Sequence, residues 1–143
     1  MVKMKLNTIL CPVDYSSGSE HAIEIASRIA IPSHSRVIIL TVSDPAKEEG
    51  EASSLADVFT KNARSKVLDQ IFTDKGIAVE HLNLRGDPTE VIVSIAATKH
   101  ADAIVMGTHG RTGWTKVFMG SVAQEVMKKA HCPVITIRPT LES

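Results

Sequence analysis

The stretch SRVIILTVS, residues 35–43, constrains the fold of this chain more than any other. β-branched and aliphatic residues follow one another there without polar alternation, which is the pattern of a strand covered on both faces. Such a strand needs helices above and below it. The chain supplies them, because five β-rich segments alternate with four helix-like ones. LNTILCPV (6–13) is a short strand with polar breaks. SEHAIEIASRIA (19–30) puts Ala22, Ile23, Ala26, Ile29 and Ala30 on one helical face, and Ser17 with Glu20 offers a capping box before it. Residues 44–54, acidic, small and unpatterned, read as a loop.

Leu55, Val58, Phe59, Val67, Leu68, Ile71 and Phe72 then mark a long helix, with Gly76 as its stop. IAVEHLNL (77–84) is the third strand. In GDPTEVIVSIAATKH, Asp87 is the N-cap of the next helix, Pro88 its first residue and Glu90 its third. ADAIVMG (101–107) is strand four, GSVAQEVMKKA (120–130) a helix with Val122, Val126 and Ala130 inward, and CPVITIRP (132–139) strand five. The order βαβαβαβαβ implies an α/β fold: one doubly wound, five-stranded parallel sheet in three layers, forming a single domain over residues 1–143.

Composition narrows the function. Sixteen Lys and Arg balance sixteen Asp and Glu, so no global field recruits nucleic acid or a membrane, and any anion site is local. Aromatic residues make up 3% of the chain, too few for a base-stacking surface. Cys11 and Cys132 read as buried free thiols, no apolar run approaches the ~20 residues of a membrane span, and no signal-peptide pattern opens the chain. The expected location is cytoplasmic.

In doubly wound sheets ligands bind beyond the carboxyl ends of the strands, where the strand order reverses. Strand one ends in Pro12-Val13-Asp14-Tyr15-Ser16. Strand four runs into MGTHGRTGWTKVFMGSV (106–122), which holds four of the chain's eight glycines, Arg111 and Lys116, and no carboxylate. Glycines let backbone amides approach an anion, and Gly120-Ser121 opens a helix whose first amides and dipole favour negative charge. Thr112 and Ser121 can add hydroxyls; His109, Arg111 and Lys116 can add charge. Neither a Walker loop nor a G-x-G-x-x-G fingerprint is present, so the cradle is of another kind.

The spacing Gly107-x2-Gly110-x9-Gly120-Ser121 resembles the nucleotide-binding motif of the universal stress protein family, in its ATP-binding branch. ILCPVDYSSGSEHAIEIA, LRGDPTEVIVSIA and CPVITIRP resemble the family's opening strand and helix, its third helix start and its last strand, so the likeness covers the whole chain. The resemblance implies an adenine-nucleotide α-hydrolase-like sheet of order 3-2-1-4-5. It also implies that Pro12, Val13 and Asp14 line the adenosine end, that Val42 offers backbone groups to the adenine edge, and that Met106 and Gly107 flank the ribose. Gly110, Gly120, Ser121 and Val122 would present amides to the phosphates, joined by the Ser121 hydroxyl. Arg111 is a further candidate there, and Ala123 stands where some nucleotide-binding members carry a hydroxyl residue.

Plainer roles compete at several positions. Ser121 with Gln124 makes a capping box, and Asp14 suits a turn or an N-cap. His109, Arg111 and Lys116 read equally as solvated loop residues, and Trp114 has no assigned role. The histidines lack zinc-ligand spacing. Fast ATP hydrolysis needs an oriented water and charge compensation on the transferring phosphoryl group. Asp14 is the only carboxylate expected in the crevice, at its adenosine end, so binding is favoured over turnover. The expected function is an ATP-binding regulatory protein of the stress response acting on an unknown downstream protein. AMP and ADP are alternative occupants, and Mg2+ would be held through the phosphates. The alternative is a slow ATPase or nucleotide-dependent transferase assisted by His109 or Asp14. The apolar edge strand Val134 to Arg138 invites a homodimer.

Overall fold

A computed structural model describes residues 6–14, 17–46, 69–108 and 120–138, with the side chains of 17–20 set aside. Its elements are β1 (Thr8–Pro12), α1 (Ser17–Ser33), β2 (Arg36–Ser43), a helix α2 described over 69–74, β3 (Val79–Arg85), α3 (Pro88–Thr98), β4 (Ala103–Gly107), α4 (Ser121–Lys129) and β5 (Val134–Ile137). Leu55, Val58, Phe59, Val67 and Leu68, expected on the helix before Gly76, lie outside the described residues. So do most of the expected acidic loop and the Pro139 end of strand five.

All the strand pairs are parallel, as the sequence pattern implied, and the sheet order is β3-β2-β1-β4-β5, as the family resemblance implied. The two-residue period of a strand divides the core into two layers. Ile9, Cys11, Val13, Val37, Ile39 and Val105 face α1 and the buried Phe72 of α2. Leu10, Ile38, Leu40, Ile104 and Met106 face Ile92 and Ala96 of α3 and Ala123 and Val126 of α4. Four consecutive β2 residues, Val37 to Leu40, are therefore buried, which is why that segment shows no alternation. Cutting Phe72 back to Ala would cost roughly 3–5 kcal/mol in such a core.

Three of the helices close at the amino edge of the sheet in the same way. At the end of α1, His34 N donates to Ile31 O and Ser35 N to Ala30 O, with His34 at φ 51°. Gly76 (φ 73°) and His100 (φ 53°) occupy the matching left-handed position after α2 and α3. The expected stop at Gly76 is thus present. Helix α1 runs past the expected residue 30 and through Pro32, because a missing N–H in the last turn is tolerated once these closing bonds hold the end. Asp102 fastens the same edge over a long span of chain: its Oδ2 accepts from Asn7 N at 2.8 Å and Thr8 N at 3.0 Å, while its own N–H reaches Thr8 O.

Candidate functional site

The carboxyl ends of β1 and β4 adjoin where the chain's direction of travel across the sheet reverses. β1 leads through α1 to β2 on one side, and β4 leads through α4 to β5 on the other. The β1–β2 ladder runs to Pro12–Leu40 and is followed by Val13 N donating to Leu40 O at 2.8 Å. The β1–β4 ladder stops sooner, at Leu10–Ile104. Pro12 and Val13 are buried at this edge and Asp14 is half-buried; Val42, one residue before the end of β2, is half-buried. Met106 is buried, whereas Gly107 is partly open. Pro12, Val13 and Met106 can therefore meet a ligand chiefly through main-chain atoms, and Pro12 has no N–H to give.

Helix α4 begins beside them, and it begins one residue earlier than a capping box at Ser121 would require. Gly120 is the N-cap, at φ −62° and ψ 154°, and no side chain caps the helix. Ser121 is the first helical residue, with its side chain exposed, so its hydroxyl is not placed as a cap. The cause is a tertiary bond: Gly120 N donates to Thr108 O, Gly120 O accepts from Gln124 N, and Thr108 N donates to Ile137 O at 2.9 Å. The end of β5, the tip of β4 and the first turn of α4 are thereby joined through main-chain groups. Thr108, buried at 3% exposure, was missed by sequence reasoning; a polar residue directly after a strand-ending glycine was the available signal.

The N-cap Gly120 offers no side chain to the first amides of α4, which carry the positive end of the helix dipole. Ala123 turns its methyl into the core at 2% exposure, so only its amide could serve an anion, and the place of a hydroxyl there points away from the edge. Val122 is half-buried against the same cluster. Gly110 and Arg111 lie outside the described residues, as do His109, Thr112, Trp114 and Lys116.

Two further carboxylates stand at the carboxyl edge, after β2 and after β3. Asp44 follows β2 and closes a local turn, its Oδ1 accepting from Ala46 N at 2.9 Å. Asp87 caps α3, its Oδ2 accepting from Glu90 N at 3.0 Å as its sequence predicts. Both are engaged in shaping the chain. Cys11, one residue before Pro12, is fully buried, and burial pushes its thiol up to about 12, so it is no nucleophile at neutral pH. Cys132 is half-buried and raised by burial and then by the Asp102 charge; both thiols are free. Among the described residues no group of three or more His, Cys, Asp or Glu could hold a metal ion, and no helix is long and apolar enough to cross a membrane.

A family model described as the universal stress protein family matches residues 5–138, nearly the whole chain. The chain belongs to the universal stress protein family. A universal stress protein of Methanocaldococcus jannaschii, MJ0531, is 32% identical over 137 residues, covering 91% of this chain and 81% of its own. The solved structure of MJ0577 from the same organism superposes with a TM-score of 0.78 at 31% identity, covering 97% of this chain and all of that one. A universal stress protein from Archaeoglobus fulgidus, solved in complex with dAMP, matches with a TM-score of 0.66 at 27% identity over 94% and 99% of the two chains. The sheet order 3-2-1-4-5 is thus that of a universal stress protein domain.

Proposed function

We propose that this universal stress protein binds an adenine nucleotide across the tips of β1 and β4 and acts as a nucleotide-dependent regulator in the stress response. One observation carries the reading. Helix α4 starts on a glycine whose dihedrals any residue could adopt, at a position where Ser, Asn or Asp would cap better, and its first turn is left without a side-chain cap. A glycine there puts no side chain between an anion and the amides of Ser121, Val122 and Ala123. The Archaeoglobus fulgidus relative, solved with dAMP, agrees in ligand class.

Asp14, Val42 and Gly107 would then border the nucleoside, with Gly110 and Arg111 as further candidates on the loop. ATP is the proposed occupant, with ADP and AMP as competitors. Mg2+ would enter on the phosphates, where it keeps most of its waters. Asp44 follows β2 and Asp87 follows β3, each accepting a local backbone N–H, and Asp14 is expected at the adenosine end, so the reading favours holding over hydrolysis.

Calorimetric titration of the purified protein with ATP, ADP and AMP tests the reading, together with mass spectrometry of whatever denaturation releases. Saturable binding of at least one nucleotide is expected. Absence of both heat and released nucleotide would overturn it. The proposed setting is a homodimer paired through β5 in the cytoplasm, where free thiols persist. All four described β5 residues are half-buried at a sheet edge. Sedimentation at micromolar concentration should give a dimer; a monomer removes that part.

A further inference from the structure

We infer that Pro12 is a positioning residue: by withholding a backbone N–H from β4, it ends the β1–β4 ladder and keeps the edge between these strands open for a ligand. This rests on the adenine-nucleotide reading above and adds to it a role that no contact with the nucleotide requires. In a parallel strand, alternate residues bond to the same neighbour. The bonds fix which residues those are. Asn7 O accepts from Arg36 N and Val13 N donates to Leu40 O, so the odd-numbered residues of β1 turn to β2. Thr8 O accepts from Asp102 N, so the even-numbered residues, 8, 10 and 12, turn to β4.

Position 12 is thus the next rung toward β4, and it is occupied by the one residue type with no donor. The pairing pattern follows. Contact with β4 is registered at Ile9–Ala103 and Leu10–Ile104 and goes no further, although both strands continue, to Pro12 and Gly107. On the other side β1 stays paired with β2 through Pro12–Leu40, because that side uses the donors of residues 11 and 13. A proline on a central strand normally weakens a sheet. Here its cost falls on one side alone, at the switch point between the strands that lead to α1 and to α4.

The test compares Pro12→Ala and Pro12→Val with the unaltered chain, measuring nucleotide affinity by calorimetry and the exchange rate of the new amide at position 12. Alanine restores the donor and removes the ring. Valine restores the donor and keeps the apolar bulk. Both amides should be protected from exchange, by a hundredfold or more, and both variants should lose about tenfold in affinity at unchanged far-ultraviolet circular dichroism. Loss in Ala with recovery in Val would mean that the ring acts by contact, and would overturn the inference. So would an unprotected amide at position 12, or full affinity in both variants. If the unaltered chain binds no nucleotide, the proposed function falls, and the role of Pro12 toward a ligand falls with it. Affinity in the unaltered chain that survives in both variants overturns Pro12 alone.

Discussion

Helices α3 and α4 lie in one layer and both begin at the carboxyl edge of the sheet, yet their first turns are finished differently. The start of α3 is closed from within. Gly86 N reaches back to Ser43 O, Asp87 caps the Glu90 amide, Pro88 has no amide to leave over, and Glu90 places a negative charge in the first turn. The start of α4 has none of these: a glycine at the cap, no acid in the first turn, and a serine one position too late to cap. A helix start built for stability satisfies its own amides. On the proposed reading the start of α4 leaves its amides to an anion, and the missing capping energy is recovered when the ligand binds.

The largest expected effect comes from closing the open start. Gly120→Asp supplies the cap and the negative charge that α3 has, and should raise the stability of the free protein by roughly 0.5–1 kcal/mol. It should weaken nucleotide binding about a hundredfold through repulsion of the phosphates. Thermal melts and calorimetry on the same preparation read both. A variant that binds normally would mean that the two starts do not differ in function.

Next in size is damage to the closed start. Gly86 sits at φ 152°, and a Cβ there would meet Val91 Cγ2 at 3.0 Å. Gly86→Ala should therefore cost about 1–3 kcal/mol by chemical denaturation. Asp87→Ala removes the cap alone and should cost about 1 kcal/mol, with nucleotide affinity unchanged if α3 plays no part in binding. The smallest effect belongs to Ser121→Ala. With no capping bond to lose, stability should stay within about 0.5 kcal/mol, while affinity falls roughly threefold from the lost hydroxyl. A stability loss near that of Asp87→Ala would show that Ser121 caps after all.

The closed start was legible because all its parts are neighbours in sequence. Asp87, Pro88 and Glu90 specify their own turn, and the structure has that turn as expected. The open start was less legible. Ser121 and Gln124 form the same local signature, but Gly120 is held by Thr108, twelve positions earlier, and that bond moves the cap. Likewise the Asp102 clamp on Asn7 and Thr8 joins groups more than ninety positions apart, which no local pattern announces.

The sequence by itself determined the elements and their faces, because helical and strand periodicities are written within a few residues of each other. The alternation of elements left the strand order open, and the order found was implied by the family resemblance. Tertiary structure alone decided how the main-chain groups at the carboxyl edge are arranged. That Gly120 and not Ser121 caps α4, that Ala123 faces the core, and that the β1–β4 ladder stops at Leu10–Ile104 all depend on main-chain groups brought together from distant strands. Hydrogen bonds between such groups are selected by the completed sheet, whose register no single segment contains.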